Sequence, residues 1–195
     1  MNHLVGVLAA AADLETFCRS REWKFCFIGG IAVQRWGTPR FTQDVAITIV
    51  TGFGREEEFI DALLDQFPGR LDEARKFALE RRVLLLRDAQ GVSLDVALGA
   101  FPFEEASVRR ATRWKITETM ALTTCSPEDL VVHKVFAARD HDWSDVESVL
   151  ARQYGRLDLG QIRRELRPLL ELKEDSASLP RFEHLFAVVA DRLRR

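Results

Sequence analysis

Apolar residues recur every three or four positions from Leu4 to Arg21, a spacing that predicts an amphipathic first helix. The run KFCFIG, Lys24 to Gly29, reads as a short buried strand ending on a glycine pair. IAVQRW after it suits a helix of about two turns, closed by Gly37 and Pro39. From Asp44 the period changes to two. Val45, Ile47 and Ile49 face one way, and Asp44, Ala46 and Thr48 face the other, so one side of this strand is core and the other is available to line a cleft.

Further on, REEEFIDALLDQF and LDEARKFALERR have helical spacing, and VLLLRD and VSLDVAL pair as a hairpin around AQG. In the second hairpin strand Val92, Leu94, Val96 and Leu98 point inward, which leaves Ser93, Asp95 and Ala97 on the opposite face. RWKIT and MALTTC are weaker strand candidates. After Ser126 the pattern is helical throughout: SPEDLVVHKVFAARD, WSDVESVLARQ, LGQIRRELRPLLELK and PRFEHLFAVVADRLRR, with KEDSASLP as the one linker-like stretch. The expected fold is α/β (α+β): a small mixed sheet flanked by helices over residues 1–125, then an all-helical half over residues 126–195.

Composition narrows the class. With 47% apolar and 30% charged residues in 195, the chain can bury a core and is expected to be globular rather than disordered. A formal net charge of −2 provides no overall pull toward nucleic acid, so any RNA contact has to come from local clusters such as Arg81-Arg82, Arg109-Arg110 with Arg113 and Lys115, or Arg163-Arg164. The three cysteines, Cys18, Cys26 and Cys125, share no CxxC spacing and read as reduced thiols. The apolar start MNHLVGVLAAAADLE meets Asp13 and Glu15 before any cleavage-like site and reads as a helix, not a leader. No segment approaches the roughly 20 apolar residues of a membrane span. A cytoplasmic protein without a membrane partner is expected.

Several polar residues then stand out by position. Gly29 and Gly30 fall where a strand gives way to a helix, either a turn that needs positive φ or a place where backbone N–H groups meet an anion. Asp44 and Asp95 each lie on the face opposite an apolar stripe. Two carboxylates on neighbouring strands suit Mg²⁺, which takes one or two protein carboxylates plus substrate phosphates; singly, each also reads as a solvated strand residue. Ser126, Pro127 and Asp129 form a helix-start signature, and helical counting from there places Lys134 among Leu130, Val131, Ala137 and Ala138. A lysine in that arc either snorkels out, answers a buried negative charge, or meets a phosphate. Arg139, Asp142 and Asp145 crowd the next helix start, where Asp142 reads as the N-cap of a helix beginning near Trp143 and Asp145 completes the cap region. His133 and His141 show no metal-ligand spacing and read as ordinary surface or interface residues.

Taken together, GGIAVQRWGTPRFTQDVA, VSLDVALG and PEDLVVHKVFAARDHDWSDV resemble the DNA polymerase β-like nucleotidyltransferase superfamily, and within it the abortive-infection, AbiEii-type toxins and related small bacterial nucleotidyltransferases. The resemblance runs from Lys24 to Leu150. It implies a phosphate-binding turn at Gly29 and Gly30, polar nucleotide contacts from Arg40 and Thr42, a first metal ligand at Asp44 and a third carboxylate at Asp95 that also activates the acceptor hydroxyl. It also implies that Lys134 contacts the nucleotide phosphates, with Arg139 part of the same helical motif and the acids Asp142 and Asp145 orienting the lysine or capping the helix. The nucleotide is then expected in a cleft between the two halves.

Position 46 departs from that pattern. The family carries an acid there, because period two puts positions 44 and 46 on one face, able to grip the same ions; this chain has Ala46. The implied reaction is Mg²⁺-dependent transfer of a nucleoside monophosphate from an NTP to a hydroxyl of tRNA or of a protein, in a toxin with a cognate antitoxin. Ala46 predicts impairment of that reaction, and an introduced change accounts for it more economically than long decay, since the rest of the motif set is kept. Two other readings stay open: a nucleotide-binding regulator without turnover, and an interaction module built on the helical half.

Overall fold

The computed structural model describes residues 3–195; Met1 and Asn2, part of the apolar start discussed above, lie outside the described residues. Its contacts divide the chain into two compact units. The first holds the described residues up to Ile31 together with Phe41–Cys125, and the second holds Ala32–Arg40 and Ser126–Arg195. Ala32–Arg40 thus counts with the helical unit, away from its neighbours in the chain.

The first unit contains α1 (His3–Ser20), β1 (Phe25–Ile28), the opening of α2 (Gly29–Trp36), β2 (Asp44–Val50), α3 (Glu56–Gln66), α4 (Ala74–Arg81), β3 (Val83–Arg87), β4 (Ser93–Gly99), α5 (Pro102–Arg110), β5 (Thr112–Lys115) and β6 (Ala121–Thr124). The strands form one six-stranded sheet in the order β3-β4-β2-β1-β6-β5. β2 runs parallel to β4 and β1 parallel to β6, while β1 with β2, β3 with β4 and β5 with β6 are antiparallel, so the sheet is mixed. The alternation read from the sequence is physical: Val45, Ile47, Ile49, Leu84, Leu86, Leu94, Val96 and Leu98 are all buried and pack with Leu14, Ile60 and Leu63 of α1 and α3 in one cluster. Each such side chain contributes roughly 1.5–3 kcal/mol of burial.

On the other face of the sheet lies α5, which the sequence reading passed over. Its buried stripe is only Phe103 and Ser107. Thr48 of β2 is fully buried on this face, and a Cβ added at Gly99 of β4 would stand 2.9 Å from Thr48 Cγ2 and 3.3 Å from Glu104 Cβ of α5, so a glycine is required for the close approach. The face that bears Asp44 and Asp95 is thus covered at its Thr48 end. The three cysteines are buried and unbridged, and burial pushes the Cys18 thiol up to about 12, which keeps it protonated.

The second unit is built from α6 (Pro127–Ala137), α7 (Asp140–Arg152), α8 (Leu159–Leu172) and α9 (Ser178–Arg194), with the rest of α2 and the segment up to Arg40. Ser126 caps α6 as the sequence indicates: its Oγ accepts from Asp129 N at 3.1 Å, and Pro127 is the first helical residue. α9 starts at Ser178, inside the stretch read as a linker, because Asp175 accepts from Ala177 N and Ser178 N and so organises the turn into a helix start. Among the described residues no helix is long and apolar enough to cross a membrane.

Candidate nucleotide site and its surroundings

In the first unit, register brings the sequence-predicted residues together. β2 and β4 pair with Asp44 opposite Ser93 and Ala46 opposite Asp95, so Asp44 and Asp95 lie diagonally on one sheet face, and Ala46 is the direct neighbour of Asp95. On its other side Ala46 pairs with Ile28, the last residue of β1. The glycine pair follows at once.

Gly29 has φ 56°, in the left-handed region, and an added Cβ would lie 3.0 Å from Ala46 Cβ. At Gly30 an added Cβ would run into the Thr42 side chain. Gly29 is therefore demanded by its backbone conformation and Gly30 by the Thr42 side chain, and both belong to the first turn of α2 rather than preceding it, where helical N–H groups have no intrahelical acceptor. The Thr42 hydroxyl, itself buried, reaches Asp44 Oδ1 at 3.3 Å.

Asp95 is not an open carboxylate. The Arg70 guanidinium donates to Asp95 Oδ1 and, through Nη1, to Ser93 Oγ at 3.1 Å. Arg70 follows α3 in a turn that sequence spacing does not mark as functional, and only a contact across 25 residues reveals it.

The donor set can be tested against the metal pair that the resemblance implies. Two ions held side by side need a carboxylate that bridges them, and the position on the shared face that would supply it is a methyl group, while Asp95 is already engaged by a cation. Among the described residues no group of three or more His, Cys, Asp or Glu side chains forms a metal-ligand set. The residues present do not fit a two-ion centre.

In the second unit, Lys134, Arg40, Arg139, Asp142 and Asp145 form one ionic cluster, buried at Lys134, Asp142 and Asp145 and open at the two arginines. Lys134 Nζ lies 2.7 Å from Asp142 Oδ1 and 2.8 Å from Asp145 Oδ2; Lys134 is 5% exposed, Asp145 2% and Asp142 not at all. Arg40 grips Asp145 with two bonds, Nε to Oδ1 at 2.5 Å and Nη2 to Oδ2 at 2.7 Å, and Arg139 Nε meets Asp142 Oδ2 at 2.7 Å. The cluster thus has three cations and two acids.

The reading of Asp142 as an N-cap needs correction, because α7 starts at Asp140 with Arg139 as its cap residue. Asp142 sits in the first turn and accepts from Arg139 N at 3.3 Å, so it serves the helix start from inside. Asp145 turns to Lys134 and Arg40 instead of the cap. Burial alone would raise both carboxyls, but hydrogen bonds from Arg139 and Lys134 to Asp142, and from Arg40 and Lys134 to Asp145, outweigh it and hold both below the usual range. His141 Nε2 lies 3.4 Å from Asp142 Oδ1 at the exposed edge.

One consequence is readable by titration. Burial pushes His133, beside Lys134, down to about 4, with Asp129 opposing and Lys134 adding to the shift. The unfolded chain therefore takes up a proton near pH 6.5 that the folded chain refuses until about pH 4, so stability is full above pH 6.5 and declines between those values. The loss is expected to reach up to about 3 kcal/mol. The Asp142 and Asp145 contributions, present above the ordinary carboxylate value, are lost only at still lower pH, below the His133 window. Chemical denaturation at pH 7, 6, 5 and 4.5 is expected to show this decline, and His133→Gln is expected to flatten it; an unchanged slope in the variant would assign the effect elsewhere.

With this geometry in view, comparison with solved structures gives the fold. The chain superposes on an antigenic nucleotidyltransferase-like protein from Paracoccidioides brasiliensis with TM-score 0.54 at 15% identity, covering 89% of this chain and 92% of that one. The fold is nucleotidyltransferase-like. Weaker matches, each with TM-score 0.42 and 16% identity, are the antibiotic-resistance factor ANT(2'')-Ia in a solution structure, covering 98% of this chain and 91% of that one, and the same factor in a crystal complex with adenylyl-2''-tobramycin, covering 97% of each chain. No family model and no curated protein matches the sequence. In this nucleotidyltransferase-like fold the mixed sheet carries Asp44 and Asp95, and the helical unit carries Lys134.

Proposed function

We propose that this chain binds a nucleoside triphosphate at the Asp44–Asp95 face, and that its transfer of a nucleoside monophosphate to an acceptor hydroxyl is strongly impaired. One observation carries the reading: Asp44 and Asp95 share a face of two parallel strands, and the residue between them in register is Ala46. The nucleotidyltransferase-like fold supports a nucleotide as ligand. The glycine turn supports phosphate binding, since Gly29 and Gly30 open α2 beside Ala46 and present backbone N–H groups of the first helical turn. Thr42 adds a hydroxyl at the same edge.

The acceptor we propose is a hydroxyl of tRNA or of a protein, in a toxin-like role with a cognate antitoxin as partner, following the sequence resemblance. In a form with an acid at position 46 the face would hold three carboxylates suited to Mg²⁺; the chain with Ala46 is a binding protein first. Calorimetry with each NTP at millimolar concentration tests this. At least one NTP is expected to bind, and labelled NTP with bulk tRNA is expected to give little or no labelling by the native chain. If no NTP binds, the interaction-module reading is the one left standing.

A further inference from the structure

Ala46 places a methyl group directly beside Asp95, where the family resemblance implies an acid, and Arg70 supplies a cation directly on Asp95. The position of Arg70 is fixed by backbone as well as charge. Its N–H donates to Leu85 O at 2.9 Å, Gly69 bridges to Leu86, and Pro68 O accepts from Arg87 N at 3.0 Å, so residues 68–70 run as an extension of the ladder along β3. The side chain then crosses Leu85's neighbour on β4, Asp95, and also meets Ser93. It is 27% exposed, and its Nε is buried without a hydrogen-bond partner. With Nε buried and one N–H of each terminal nitrogen engaged by Ser93 and Asp95, the second N–H of Nη1 and of Nη2 remain for an anion.

Register adds a second arginine. β3 and β4 pair with Leu85 opposite Asp95 and Arg87 opposite Ser93, which puts Arg87 on the face of Asp44 and Asp95, while Leu84, Leu86, Leu94 and Val96 fill the core on the other side. Arg70, Arg87, Asp44 and Asp95 are formally neutral together. A face built to attract two divalent cations would be strongly acidic; this one is balanced by its own arginines.

We infer that Arg70 takes the place of a divalent cation at Asp95, so that this face receives the triphosphate without Mg²⁺. The inference rests on the nucleotide reading above and sharpens it, by naming the counter-charge. A bound Mg²⁺ would have to displace the guanidinium from Asp95 and would gain no bridging acid from position 46. A triphosphate instead meets the unused guanidinium donors directly, as charge-assisted hydrogen bonds.

The test compares ATP, GTP, CTP and UTP binding to the native chain by calorimetry in Mg²⁺ and in EDTA, and repeats the EDTA arm with Arg70→Gln. The native dissociation constant for the preferred NTP is expected to differ by less than about threefold between the buffers, and Arg70→Gln is expected to weaken EDTA binding by about tenfold or more. Native binding seen only with Mg²⁺ overturns the role of Arg70 and leaves the nucleotide reading in place. Equal EDTA affinity in Arg70→Gln overturns it as well. No binding in either buffer removes the nucleotide reading and this inference with it. The two buffer arms need only the native chain, so the result stands even where the variant does not fold.

Discussion

Ala46→Asp is expected to raise nucleotide transfer by about a hundredfold or more over the native chain, and to make it dependent on Mg²⁺. The variant carboxylate would stand on the face of Asp44 and directly opposite Asp95, completing three acids on one sheet face. A metal ion contributes several kcal/mol of transition-state charge stabilisation when bound, and each ~1.4 kcal/mol is about tenfold in rate. The same change has a thermodynamic signature that does not depend on turnover. Carboxylates about 4 Å apart repel by roughly 4 kcal/mol at an effective dielectric of 20, and partial exposure and the neighbouring Arg70 reduce that figure here. Without metal the variant is therefore expected to melt below the native chain, by about 2–4 °C for each kcal/mol of repulsion, and Mg²⁺ is expected to recover more stability for it than for the native chain. Labelled NTPs with bulk tRNA, and melting curves with and without Mg²⁺, make the measurement. A variant that labels neither RNA nor protein, with melting as indifferent to Mg²⁺ as the chain with Ala46, would sink the reading of this face as an impaired nucleotidyltransferase metal centre.

How much of this was visible in the sequence follows from which interactions are local. The period-two alternation of β2 and β4 put Asp44 and Asp95 on faces opposite an apolar stripe, and the glycine pair marked a strand-to-helix turn; all of these are set by neighbours one or two positions away. Pairing of β2 with β4 is non-local, so the sequence offered two acids and the register made them diagonal neighbours with Ala46 between. Arg70 was not legible, because FPGRLD has turn residues but no period, and the bond to Asp95 is decided by the β3 ladder that carries the backbone there. The helix α5 was missed for a related reason: a buried stripe of Phe103 and Ser107 is too narrow to read as amphipathic. Ala32–Arg40 reads as part of the α/β half from its place in the chain, yet Gly37 is closed against Ser148 and Val149, and Arg40 against Asp145, both long-range contacts of the helical unit.

Lys134→Met is expected to destabilise the helical unit by about 3 kcal/mol, near the lower end of the 3–5 kcal/mol typical when one partner of a buried pair is removed. The sequence showed a lysine out of place on an apolar arc; its partners lie eight and eleven residues away on the next helix, beyond the break between α6 and α7 where helical counting from Ser126 stops. Met keeps the stem packing of a nearly fully buried side chain but leaves Asp142 and Asp145 with one cation each, Arg139 and Arg40. Those two arginines are why the loss falls at the low end. The direction is fixed by sign: Lys134 helps hold both carboxyls below their ordinary range, so its removal raises them, and acid unfolding is expected to begin at higher pH in the variant than in the native chain. Adding Asp142→Asn to Lys134→Met is expected to recover part of the stability, since it withdraws a buried charge that has lost one of its two cations, and a double-mutant cycle measures the coupling. Nucleotide affinity separates this structural role from the phosphate contact implied by the family resemblance. With Nζ held between two carboxylates, Lys134→Met is expected to change the NTP dissociation constant by less than about threefold at a temperature where the variant is folded. A loss of about tenfold there, with stability kept, would return Lys134 to the phosphates and make Asp142 and Asp145 the residues that aim it.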